Sequence, residues 1–285
     1  MKQFEDRLGK YIIGSLFGDY TRVEVGTDLL PNTFYADVLL LPDKPLANNI
    51  PGAGLLTRLT QDARCLIEPF SGTVKPVRLE GTVTKLRLAL QRAYDDHLGV
   101  FPPKGVLWII VPYWPQNAIK QIFVEPGEEI EKGVLKWQCC ARETVYIVNT
   151  SVISLREETL VFRLLGQKQY RKEALIKIFT EHLEPYVTLL NNFDLRFKKM
   201  TQSNHIQNID PEELKNMIDL RDTRAEVLQE IGKKEGKKEG RKEGRKEGAK
   251  KRSKEIAQRM LKTNIPIEQI ASLTMLSIEE IEALK

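Results

Sequence analysis

Cysteine and histidine are scarce in this chain, with three of each in 285 residues. Cys65, Cys139 and Cys140 are odd in number and lack framework spacing, which excludes a small disulfide-stapled secreted domain and predicts a reducing, cytoplasmic setting. Cys139 and Cys140 are adjacent, which is not zinc-ligand spacing. They suit opposite faces of one strand. His97, His182 and His205 are scattered, and His97 reads as packing or a helix C-cap rather than a base. No run approaches the ~18 apolar residues that a membrane span needs. The opening "MKQFEDRLGKYIIGSLFG" has acidic residues and no signal-peptide apolar core. No glycine-rich loop has phosphate-binding spacing. A disulfide scaffold, a zinc centre, a membrane protein and a P-loop enzyme are therefore not expected.

What the chain does have is an unusual charge distribution. "GKKEGKKEGRKEGRKEGAKKR", residues 232–252, carries 11 Lys or Arg and 4 Glu, a net of +7. The remaining 33 basic and 35 acidic residues give −2, so the overall +5 belongs to this segment. Glycine at every fourth position costs about 1 kcal/mol each against alanine in a helix. Like charges recur at i+4, and only i+3 pairs such as Glu235 with Lys238 help. A solvated linker, a helix whose glycine stripe admits a partner helix, and a weak grip on nucleic-acid phosphates all fit the pattern.

Along the rest of the chain, Phe4, Leu8, Tyr11, Ile12 and Leu16 predict an amphipathic helix over 3–17. "TRVEV", "FYADVLLLP" and "ARCLIEPF" read as strands, with a Pro/Asn/Gly-rich loop between the second and third. Leu79, Val83, Leu86, Leu90, Ala93, Tyr94 and His97 predict a helix over 78–98. "GVLWIIVPYW" follows as the strongest strand, then "KWQCC" and "TVYIVNTSVI". This order predicts an α/β fold, a mixed sheet flanked by helices. From about residue 168 the pattern turns helical. Asp210 and Pro211 mark a helix start, and Ser277 with Glu280 makes a capping box. The expected organisation is an α/β domain over 1–167, a helical extension over 168–231, a basic linker over 232–252 and a short helical tail over 253–285.

Two acids interrupt apolar strands, Asp37 in "YADVLLL" and Glu68 in "CLIEPF". A carboxylate buried alone costs several kcal/mol, so each needs a cation. If neighbouring strands bring them together, their oxygens suit Mg²⁺, which can activate water and neutralise a phosphodiester's developing charge. Glu5, on the edge of the first helix's apolar face, is a third candidate ligand. Pairing with Arg or Lys in a strand-end network is the alternative.

"FYADVLLLP", "CLIEPFSG", "LRLALQRAYDDHLG" and "GVLWIIVPYW", with the glycine-rich tetrads and "IEQIASLTMLSIEEIEAL", resemble the Rpn-like branch of the PD-(D/E)XK nuclease superfamily, the recombination-promoting nucleases and transposases. The resemblance implies a restriction-endonuclease-like fold and a Mg²⁺-dependent DNA endonuclease. Asp37 and Glu68 match the metal-binding acids, and Glu5 the acid of the first helix. The position two after Glu68, Lys or Gln in that family, is Phe70, whose side chain cannot donate a hydrogen bond. Lys75 or Lys85 would have to reach back instead. A catalytically degenerate relative that binds or assembles is the alternative. In the tail, Ile256, Met260, Ile267, Ile270, Leu276, Ile278 and Ile281 predict a small helical core. Glu279, Glu280 and Glu282 on its last helix favour protein contact or homo-oligomerisation over base readout.

Overall fold

A computed structural model describes residues 7–17, 21–30, 34–41, 54–60, 63–70, 72–96, 104–202, 211–263 and 265–284. The chain divides into two compact units, Met1–Val227 and Leu228–Lys285. Its strands are β1 (Arg22–Leu30), β2 (Phe34–Leu41), β3 (Arg64–Pro69), β4 (Gly105–Val111), β5 (Glu128–Glu131), β6 (Val134–Cys140) and β7 (Glu143–Asn149). Its helices are α1 (Arg7–Phe17), α2 (Gly54–Thr60), α3 (Pro76–Asp96), α4 (Gln116–Ile122), α5 (Leu160–Leu164), α6 (Lys168–Thr180), α7 (Glu184–Gln202), α8 (Pro211–Leu261), α9 (Ile267–Thr274) and α10 (Ile278–Glu282).

The first unit holds one mixed sheet in the order β1-β2-β3-β4-β7-β6-β5. Strands β3, β4 and β7 run parallel at its centre, and antiparallel pairs flank them on both sides. All seven residues of β4 are buried, as expected for a central parallel strand covered on both faces. Strand alternation sorts the side chains into two layers. Leu39, Leu66, Leu107, Ile109, Val145 and Ile147 share one core with Leu79, Val83, Leu86, Ala89 and Leu90 of α3. On the other face Trp108 stacks on Tyr146 with ring centroids 4.5 Å apart, and its indole N–H donates to Thr60 Oγ1 at 3.1 Å. The mixed α/β architecture expected from the sequence is thus present.

Helix α3 starts at Pro76, two residues ahead of the apolar pattern. Pro suits a first helical position because the N–H it lacks would have no helical partner. The helical text after residue 168 is two helices: His182 takes a left-handed backbone, φ 53°, and the Leu183 N–H donates to the Ile178 carbonyl, which closes α6. Helices α2 and α4 have seven residues each and β5 has four, too short for a periodic signal. Strand β5 lies at the sheet edge and reads Glu-Glu-Ile-Glu, a charged sequence that discourages further pairing.

In the second unit, Ala257, Ile270, Leu276 and Ile281 form a small core with Met260, Leu261 and Ile267 packed against it. Ile256 and Ile278, expected inside, are about half exposed. The capping box holds: the Glu280 N–H donates to Ser277 Oγ and the Ser277 N–H to Glu280 Oε2, both at 3.2 Å. Residues 232–252 are helical within α8 and exposed throughout. Among the described residues no helix is long and apolar enough to cross a membrane.

Candidate active site

Glu68 is the fifth residue of β3 and is fully buried. By alternation it shares the α3-facing side of the sheet with Leu66. Lys85 of α3 meets it there, with Nζ 2.7 Å from Glu68 Oε2 and a side chain only 12% exposed. The helix makes room for this lysine. Thr82, one turn before, and Ala89, one turn after, are buried and small, which leaves space beside the stem while the ammonium reaches the strand. An ionised carboxylate in an apolar layer costs several kcal/mol when alone, and a charge-assisted hydrogen bond of this length offsets that cost.

Residue 37 approaches the same row through strand register. Strand β2 pairs with β3 through Val38↔Ile67, Leu39↔Leu66 and Leu40↔Cys65. One step further along that register, position 37 stands across from Glu68. On the other side of β2 the register runs Val25↔Val38 and Thr27↔Ala36, which leaves Gly26, a residue with no side chain, beside position 37. The Asp37 side chain and Glu5 lie outside the described residues. So do His97, His205 and Asp210.

The remaining predicted residues divide clearly. Phe70 is buried. Its N–H donates to the Ile110 carbonyl at 2.8 Å, and the Arg78 guanidinium lies 4.5 Å from its ring centre. The position two after Glu68 is therefore committed to packing and a cation–π contact. Lys75 is exposed just ahead of α3, and its carbonyl accepts the N–H groups of Arg78 and Leu79. Of the two candidate lysines, Lys85 is the one in contact with Glu68. The sequence held a signal for this choice, since Lys85 sits beside the apolar stripe of α3 between Thr82 and Ala89. The apolar period marks the stripe and not its polar margin, so the signal was easily passed over.

Two of the thiols are held toward the neutral form. Burial pushes the Cys65 thiol up to about 12. Burial also raises Cys139, with the Glu143 carboxylate adding to the effect. Cys139 and Cys140 lie on a strand, at the end of β6, and both are exposed. A cleft of 490 Å³ lies between α3, α4 and β6, with Glu80, Arg87, Gln121, Trp137 and Cys139 in its lining. Arg87 is engaged there with Glu143 at 3.3 Å. Compared with protein-family models, curated proteins and solved structures, the chain matches none.

Proposed function

We propose that this chain is a Mg²⁺-dependent DNA endonuclease with a restriction-endonuclease-like fold, of the recombination-promoting nuclease type that its sequence resembles. The observation that carries the reading is a convergence: the strand register brings position 37 to the row of Glu68, and Lys85 supplies from α3 the lysine that the sequence lacks two residues after Glu68. The donor chemistry fits the ion, since Mg²⁺ takes oxygen ligands and commonly uses one or two protein carboxylates. Asp37 and Glu68 would hold it, with Glu5 as a further candidate. When bound, it would supply charge neutralisation at the phosphodiester and a more acidic water.

The chain's own residues do the rest. The buried layer around Glu68 excludes bulk water and strengthens each charge interaction there. The Lys85 ammonium, held 2.7 Å from Glu68, can donate to an attacking water or to a phosphate oxygen as negative charge develops. Lys85 also competes with a metal for the same carboxylate, and this yields a distinctive signature. Lys85→Met should lose cleavage yet bind Mn²⁺, used as a probe ion, more tightly than the parent chain. Plasmid nicking in Mg²⁺ tests the activity directly. Asp37→Ala and Glu68→Gln should each abolish it, and equal nicking by parent and Asp37→Ala would remove the assignment.

A second reading is a degenerate nuclease scaffold that binds or assembles through its helical tail. Phe70 favours it, because the family's usual lysine position is closed by packing. It predicts no metal-dependent cleavage and a fall in the number of subunits by light scattering, beyond the mass removed, when residues 232–285 are deleted.

A further inference from the structure

The tetrad segment has a surface that the proposed chemistry does not use. Each residue of 232–252 is exposed, and the segment is helical, so its 21 residues form a rod about 31 Å long. Its charge is +7, against −2 for the rest of the chain. The basic residues come as adjacent pairs, Lys233-Lys234, Lys237-Lys238, Arg241-Lys242 and Arg245-Lys246. Each pair spans about 100° of the helix surface, and each tetrad carries it about 6 Å onward and about 40° around. The result is a winding basic band bordered by glutamates, with each tetrad's glycine on the side away from it. Ala249 is the largest apolar side chain in the segment. An interfacial membrane helix needs a broad apolar face, and a helical protein seam needs an apolar stripe. This rod has neither, and its complement is a dense, repeating array of anions.

We propose that residues 232–252 form a sequence-independent docking surface for the phosphate backbone of double-stranded DNA. The charge arithmetic carries the case. With a net −2 outside the segment, the rod is where the chain's net positive charge is concentrated for a polyanion. Because the band winds, two or three successive tetrads face any one line of phosphates. About four to six contacts then form, which predicts a log–log salt slope of about −4 to −5. The four glutamates, set among the lysines, moderate this grip. Glu235 lies three residues before Lys238, close enough to screen it. The inference deepens the endonuclease reading by naming how substrate is captured, but docking itself needs no metal and no Asp37.

The test uses the full-length chain carrying Asp37→Asn, in EDTA, with a fluorescein-labelled duplex of about 30 base pairs at about 50 to 200 mM KCl. Replacing Lys233, Lys237, Arg241 and Arg245 by Gln should weaken anisotropy-detected binding by about 10- to 100-fold at the low end of salt and flatten the slope by about 2 to 4. Replacing Glu235, Glu239, Glu243 and Glu247 by Gln should do the reverse and tighten binding. Circular dichroism on both variants controls for retained helix. Unchanged affinity in the first variant, or no tightening in the second, overturns the proposal. So does equal or tighter binding to phosphatidylserine vesicles. Loss of the nuclease reading in the nicking assay, with these salt effects intact, would leave the docking surface standing.

Discussion

Glu68, fully buried, and Lys85, partly buried, lie 2.7 Å apart in the sheet unit, while every charged residue between 232 and 252 faces solvent. The same two residue types thus do different work. Inside the sheet unit one pair matters at the scale of a few kcal/mol, because the Glu68 carboxylate is out of water and a charge-assisted hydrogen bond offsets its desolvation. Along the exposed helix a Glu–Lys pair contributes a few tenths of a kcal/mol and is screened by salt. What many exposed charges supply together is a field, which acts on partners rather than on the fold. Glycine repeats the contrast. Gly133, between β5 and β6, has φ 85°, and an added Cβ would lie 2.7 Å from the Ile153 backbone. Around Gly236, Gly240 and Gly244 an added Cβ meets nothing within 4 Å.

The largest expected break in this contrast is at the buried pair. Glu68→Ala should destabilise the chain by about 2 to 3 kcal/mol, because it removes the carboxylate that accepts the charge-assisted hydrogen bond of the Lys85 ammonium. Replacing both partners, Glu68→Leu with Lys85→Leu, should recover most of that loss in urea denaturation while cleavage stays absent. A double variant as unstable as Glu68→Ala would mean that the pair is not acting as a compensated unit. Glu235→Ala, removing the same residue type from the exposed helix, should shift the urea midpoint hardly at all.

Next in size come the glycines. Gly133→Ala should cost at least about 1 to 2 kcal/mol, since a left-handed backbone is disfavoured for L-residues and the Ile153 main chain cannot yield easily. Gly240→Ala should instead stabilise the helix by up to about 1 kcal/mol. Thermal melts followed by circular dichroism would show opposite signs. Equal signs at the two positions would break the distinction between a glycine the turn requires and one the helix only tolerates.

These contrasts also mark what the sequence made legible. The continuous apolar run of β4 and the stripe of Leu79, Val83 and Leu86 are strong periodic signals, and both elements lie where the pattern predicts. The two acids stood out because a carboxylate in an apolar strand demands an explanation. Which lysine answers Glu68 was only faintly legible, at the polar margin of the α3 stripe, because the contact joins residues 17 apart through the packing of a helix on a sheet. Short elements such as α2 and β5 were hidden for another reason, since four to seven residues hold too few periods to read. The helical state of 232–252 runs against its glycine content. The exposed surface of that helix, by contrast, follows directly from the absence of apolar residues.

The smallest effect concerns a single exposed carboxyl in the tail. The Lys250 ammonium, 2.5 Å from Glu280 Oε1, and the Ser277 N–H together hold the Glu280 carboxyl below its ordinary value. A carboxyl depressed in the folded state adds stability above its unfolded pKa, near 4.3, and that increment is lost as pH falls through the folded value. The capping box of α10 should therefore persist at neutral pH and open under acid, since a protonated Glu280 accepts more weakly from Ser277. The Ser277 amide proton, followed by NMR in the full-length chain, should titrate below the ordinary glutamate range. Lys250→Gln should move that titration upward, whereas salt should move it only slightly if the contact is a true hydrogen bond rather than a diffuse field. An amide that titrates at the ordinary glutamate value in both chains would place Glu280 with the solvated charges of 232–252 instead of with the paired ones.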